Sequence, residues 1–116
     1  MTEPSGINVS IPPSGPGCAE CTKTGGWWYH LRRCAECGHV GCCDASPGQH
    51  ASAHFRSSGH PLIRSYEPGE HWFYDFRDGQ LYEGPALASP ETHPADQPVP
   101  GPAGRVPLDW ESQLHV

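Results

Sequence analysis

The feature that most constrains this chain is a run of eight metal-type ligands between Cys18 and His60, in the order Cys18-x2-Cys21, Cys34-x2-Cys37, Cys42, His50, His54 and His60. A structural zinc ion takes four Cys or His ligands in a tetrahedron, and a two-residue gap lets one tight turn aim two thiolates at the same ion. Eight such ligands make two complete sites. Whatever this chain folds into must close around both.

Composition explains why metal is needed. Only 35% of the 116 residues are hydrophobic, against 14 Gly and 14 Pro, so much of the chain cannot contribute to a buried core. Below about 70–80 residues an apolar core rarely supplies more than a few kcal/mol, and small domains lean on metals or disulfides. The stretch from Met1 to Gly17 has no apolar run and no basic start of the kind that marks a secretion signal, so the expected compartment is the reducing cytoplasm. There, CxxC pairs accompanied by histidines favour two Zn2+ ions over disulfides. No stretch approaches the roughly 18–20 apolar residues of a membrane span. A formal net charge of −6 argues against general nucleic-acid binding, which rests on a basic surface. Neither nucleic acid nor membrane is an expected partner.

Residues 1–17, which include Pro4, Pro12, Pro13 and Pro16, read as a disordered segment, and residues 84–116 as a Pro-rich tail. The domain between them spans 18–83. Gly26 to Arg33 mixes aromatic and polar residues in a strand-like way, and His39 to Cys42 makes a short extended piece. A helix follows, with Ser46 as N-cap, Pro47 at its first position and Gln49 completing a capping box. Gly59 and Pro61 stop it. His50 and His54 are four apart, hence on one face. Pro61 to Tyr66 reads as a strand, and His71–Arg77 with Gln80–Glu83 as a hairpin closed by a two-residue type I′ turn at Asp78-Gly79. The predicted class is α+β: a small zinc-stapled domain with a twisted antiparallel sheet and one main helix.

Spacing permits two pairings. A sequential scheme gives one ion the four CxxC cysteines and the other Cys42, His50, His54 and His60. A cross-brace scheme gives one ion Cys18, Cys21, Cys42 and His50, and the other Cys34, Cys37, His54 and His60. Interleaving ties distant parts of the chain together, which suits a fold with so little core.

The segments CAEC, HLRRCAECGHVGCCD, HASAHFRSSGHP and SYEPGEHW, running from Cys18 to about Trp72, resemble the UBP-type zinc finger, the ubiquitin-binding module of deubiquitinases and histone deacetylases. The resemblance implies the cross-brace pairing. It selects Cys42 as a ligand and leaves Cys43 a spare thiol, with His30, His39 and His71 as ordinary polar or packing residues. Phe73 and Phe76 stand where some members carry a further CxxC, so no third ion is implied. Six arginines against one lysine, with abundant Gly, Pro and Ala, suit a GC-rich bacterial source and a stand-alone member.

Family members that capture ubiquitin hold its free C-terminal carboxylate with an Arg two residues past the Cys42 equivalent, a nearby Trp and a Tyr on the late hairpin. Here the first position is Asp44, which would repel a carboxylate. The Trp position falls on Arg32, with Trp28 nearby, and Tyr74 matches the Tyr. These departures argue against the familiar ubiquitin pocket and leave two readings: arginines on a solvated strand edge with the aromatics as core, or a rearranged pocket, as follows. Arg32 or Arg33 supplies the guanidinium, Trp28, Trp72 and Tyr74 supply walls, and the partner is the C-terminal tail of a protein or ubiquitin-like protein. Trp28, Arg32 and Tyr74 are the candidate partner-binding residues. No enzyme is expected. His50-x3-His54 encloses Ala51, Ser52 and Ala53 with no Glu as general base, and protein fills every zinc position. The alternative is a structural or thiol- and zinc-responsive regulatory protein without a peptide pocket. Its tail segment Pro107-Leu108-Asp109-Trp110 would then dock on a partner or fold back on the domain.

Overall fold

The computed structural model describes residues 7–115, so the reading of residues 1–6 as disordered lies outside the described part of the chain. Five strands form one antiparallel sheet in the order β2-β1-β3-β4-β5, with β1 Leu31–Cys34, β2 Val40–Cys42, β3 Leu62–Ser65, β4 Trp72–Asp75 and β5 Gln80–Glu83. Two helices, α1 Ala19–Thr24 and α2 His50–Ser58, complete the α+β domain. The short α1 goes beyond the one main helix expected. Its N-cap is a metal-type ligand, since Cys18 Sγ accepts the Cys21 N–H at 3.4 Å.

Strand register sorts side chains onto two faces, because neighbours along a strand point to opposite sides. The pairs Arg33–Arg64, Arg64–Phe73 and Phe73–Tyr82 place those four residues on one face. Arg32, Ile63, Trp72, Tyr74 and Leu81 belong to the other. Helix α2 packs over this second face at β2 and β1. It comes so close that a Cβ on Gly41 would lie 2.8 Å from the Ala51 nitrogen, which only glycine permits.

The first face is covered by residues of the two proline-rich segments. Arg33 is fully buried. It donates from Nη1 to the Ala88 and Pro90 carbonyls at 2.9 and 3.0 Å, and from Nη2 to the Ile11 carbonyl at 2.7 Å. Arg64 likewise donates to the Glu91 carbonyl at 3.0 Å. Leu87 joins Ala35, Leu62 and Phe73 in a core cluster, with Ile7 and Tyr82 packed against it. His93 is buried 2.9 Å from Glu67, whose other oxygen accepts the Leu31 N–H at 2.8 Å. These segments contribute mainly backbone carbonyls, which side-chain composition does not count. Farther on, Trp110 lies 5.6 Å from the Tyr29 ring and His115 donates its N–H to the Ala45 carbonyl at 2.9 Å, so the tail folds back on the domain.

Two local expectations need correction. Helix α2 starts at His50, and Gln49 precedes it at φ 50° with no side-chain cap. Ser46 Oγ instead accepts the Tyr29 N–H at 2.8 Å, Gln49 Nε2 donates to the Asp44 carbonyl, and the His50 N–H points at Cys42 Sγ at 3.3 Å. A sulfur has taken the capping role. The β4–β5 hairpin pairs Asp75 with Gln80, which leaves a four-residue loop rather than a two-residue turn. Gly79, at φ 72°, donates to the Asp75 carbonyl, Arg77 pairs with the Asp75 carboxylate at 2.8 Å, and Phe76 stacks on Phe55 of α2 at 5.0 Å. That stacking and ion pair draw Phe76 and Arg77 out of the ladder.

Candidate metal centres and an adjoining cleft

Cys18 at the start of α1, Cys21 within it, Cys42 at the end of β2 and His50 at the start of α2 each bring a ligand atom to within 4.8 Å of the others. His50 Nδ1 stands 3.3, 3.4 and 3.4 Å from the Cys18, Cys21 and Cys42 sulfurs. The backbone N–H groups of Cys21 and His50 point at the sulfurs of Cys18 and Cys42, which favours thiolate. Without a cation such a set cannot ionise together. Hydrogen bonds from Cys21 and Cys42 hold the Cys18 thiol down at about 2. The bond to Cys18 drives Cys21 far up and pushes Cys42 up to about 12. A dication at their centre would relieve this mutual exclusion, and three thiolates with one imidazole are a zinc donor set. All six cysteines are free thiols, so nothing competes for the sulfurs. The residues fit the ion.

The second cluster joins Cys34 at the end of β1, Cys37 in the turn after it, His54 in the middle of α2 and His60 just past its end, again within 4.8 Å. His54 Nε2 is 3.3 Å from Cys37 Sγ, and His60 Nδ1 is 3.6 Å from Cys34 Sγ. Burial lowers His54 to about 4, which keeps its imidazole in the neutral, metal-binding form. Outer partners orient the ligands, as is general for metal sites. His39 stacks on His54 at 4.2 Å and bonds Glu20 at 2.8 Å, while His60 Nε2 faces Glu36 at 3.5 Å. The pairing is therefore interleaved, and α2 spans it by giving His50 to one cluster and His54 to the other.

Beside α2, on the sheet face opposite Leu87 and His93, lies a cleft of about 290 Å³ whose walls include His30, Arg32, Asp44, Trp72, Tyr74 and Phe76. The Arg32 guanidinium sits 4.8 Å above the Trp72 ring. Its Nη1 bonds only the Leu31 carbonyl, at 3.0 Å, and Arg32 forms no ion pair among the described residues. Phe76 meets Tyr74 edge-on at 5.2 Å. Asp44 stands at the rim, exposed, with Oδ1 accepting from Ser52 Oγ of α2 at 2.7 Å. Burial pulls the pKa of His30 below its usual value. The arrangement offers one unpaired guanidinium, one anchored carboxylate and a largely aromatic wall.

Of the three candidate partner-binding residues, Arg32 and Tyr74 line this cleft and Trp28 does not. Trp28 is 5% exposed and packs with Cys18, Cys21 and Leu31. It is bridged through its backbone to Gly101 at 2.8 and 3.0 Å, so the tail holds it outside the cleft lining. Trp72 takes the wall position instead, and its two-residue spacing from Tyr74 was the legible signal that both share a face. The spare Cys43 is buried, 3.5 Å from Ser46 Oγ, and also borders the cleft. The orienting roles of His39 and Glu36 had no signal in ligand spacing.

The family model describing the zinc finger in ubiquitin hydrolases and other proteins matches residues 18–86. Among solved structures, the chain is similar to the solution NMR structure of protein RPA1320 from Rhodopseudomonas palustris. The two are 42% identical over 86% of this chain and 97% of that one, with a TM-score of 0.64. A comparison with curated proteins gave no match.

Proposed function

This chain belongs to the family of UBP-type zinc fingers, and on that premise we propose that it is a non-catalytic, zinc-dependent interaction module that captures the free C-terminal end of a protein tail. Cys18, Cys21, Cys42 and His50 hold one Zn2+, and Cys34, Cys37, His54 and His60 hold the other. Each ion, when bound, ties segments distant in sequence and supplies folding energy rather than reactivity. The platform they make carries the cleft.

The observation that supports capture is the Arg32 guanidinium, parked over Trp72 without an anion. A planar guanidinium binds a carboxylate through two parallel hydrogen bonds, and a terminal carboxylate is the anion that every protein tail supplies. Trp72 holds the guanidinium by a cation–π contact, and Tyr74 and Phe76 shield the remaining wall. Asp44 occupies the position where the family's capturing Arg is expected. In this reading the charge has moved to β1.

Isothermal titration with short peptides ending in small residues, each with a free or amidated C-terminus, tests the reading. Amidation is expected to weaken binding about tenfold or more, and Arg32→Ala to do the same without changing the circular dichroism spectrum. Equal binding of free and amidated peptides would overturn it.

A further inference from the structure

We propose that Cys34 and Cys37 are a reversible oxidation site: a small neutral peroxide joins their sulfurs in a disulfide, which dismantles the second metal centre and leaves the first whole. The two centres differ in what solvent can reach. Cys18, Cys21 and Cys42 are 0, 2 and 0% exposed, and Cys34 is 1% exposed. Cys37 alone among the six cysteines is exposed. It lies in the turn after β1, where its backbone N–H points at Cys34 Sγ from 3.5 Å. The ligand atoms of that centre already lie within 4.8 Å of one another, and a disulfide needs its sulfurs at about 2 Å. Cys37 stands outside the sheet, so its side chain can close that gap with β1 left in place.

Exposure decides which thiolate an oxidant reaches, and charge decides which oxidant arrives. Glu36 stands between the two cysteines in sequence and faces His60 Nε2 at 3.5 Å, while Glu20 bonds His39, which stacks on His54. With a net charge of −6 on the whole chain, these carboxylates repel anionic oxidants. Hydrogen peroxide is uncharged and small. The Cys37 thiolate attacks one peroxide oxygen, the O–O bond breaks, hydroxide leaves and Cys37 becomes a sulfenic acid. The Cys34 thiolate then attacks the Cys37 sulfur, the S–O bond breaks, a second hydroxide leaves and the S–S bond forms. The two sulfurs together lose two electrons, the peroxide gains them, and two protons from solvent complete two waters. His54 and His60 by themselves fall short of the four donors that a structural zinc takes. His54 belongs to α2 and His60 lies just past its end, so the second half of α2 loses its tether while His50 keeps the first half in the other centre. A dithiol reverses the bond by exchange. The oxidation is independent of what the cleft binds.

Hydrogen peroxide added to the zinc-loaded full chain tests this, with a chromogenic chelator reading released zinc and peptide mass spectrometry mapping the crosslink. The first equivalent of zinc is expected to leave about tenfold or more faster than the second, together with a Cys34–Cys37 disulfide and raised hydrogen exchange in residues 54–60. Dithiothreitol followed by Zn2+ should restore the starting state. Cys43→Ser, which removes the cysteine outside both centres, should release zinc at the native rate. Release of both equivalents together, or a crosslink that includes Cys18, Cys21 or Cys42, overturns the assignment. So does a chain that keeps both ions, a Cys37 oxidised past sulfenic acid without a crosslink, or loss of zinc release in Cys43→Ser.

Discussion

Arg32 and Arg33 are adjacent on one strand, yet the sheet treats them in opposite ways. Arg33 points to the tail-covered face, is fully buried and spends its guanidinium on the carbonyls of Ala88, Pro90 and Ile11. Arg32 points to the helix-bearing face, rests on Trp72 and keeps its charge unpaired. One face is closed by the chain's own backbone, while the other is left open beside α2. A charged residue is structural cement when carbonyls surround it and stays free to pair when no anion does, although the residue type is the same.

Removing both ions should abolish the contrast altogether, because the clusters fix α1, β2, the β1 turn and α2. Structural zinc is worth about 10–16 kcal/mol in small fingers at neutral pH. Complete chelation is expected to erase the near-ultraviolet circular dichroism of both faces together. A signal that survives full metal removal would mean that the sheet stands without its ions.

Ending the chain after Gly84 attacks the tail-covered face above all. It deletes Leu87, the Ala88 and Pro90 carbonyls that bind Arg33, the Glu91 carbonyl that binds Arg64, and His93 beside Glu67. A loss of about 3 kcal/mol or more is expected, read as a lower urea midpoint. An unchanged midpoint would show that the tail merely lies on the sheet.

The two arginines give the most direct comparison. Arg33→Ala removes a buried guanidinium and leaves three carbonyls without it, and should cost about 2–4 kcal/mol. Arg32→Ala should stay within about 0.5 kcal/mol while abolishing carboxylate-dependent binding. Equal destabilisation by the two would erase the distinction between the faces.

The smallest effect concerns pH at the open face. Burial depresses the pKa of His30 below its ordinary 6.5, so the unfolded chain takes up a proton more readily than the folded one. The stability tied to neutral His30 is fully present above about pH 6.5 and is lost as pH falls through that value toward the folded pKa. Urea midpoints at pH 7.5 and 5.5 should therefore drop more in the native protein than in His30→Gln. An identical drop in both would remove His30 from the account.

Much of this was legible beforehand for particular reasons. The ligands at Cys18 to His60 declared themselves because zinc demands few residue types at short spacings. Strands β3 to β5 declared themselves through alternation and turn residues. The start of α2 did not, because Ser46 and Gln49 form a valid capping pattern that loses to the bond from His50 N–H to the Cys42 sulfur. Nothing local put Trp28 outside the cleft lining, because its neighbour in space, Gly101, is far away in sequence.

By itself, then, the sequence determined the metal, the α+β class and the set of ligands, since those depend on local spacing and on the chemistry of thiol and imidazole. Only the tertiary structure decided which arginine is buried, which tryptophan walls the cleft and where the proline-rich tail goes. Those outcomes depend on strand register and on backbone carbonyls arriving from residues more than fifty positions away, and no local pattern records them.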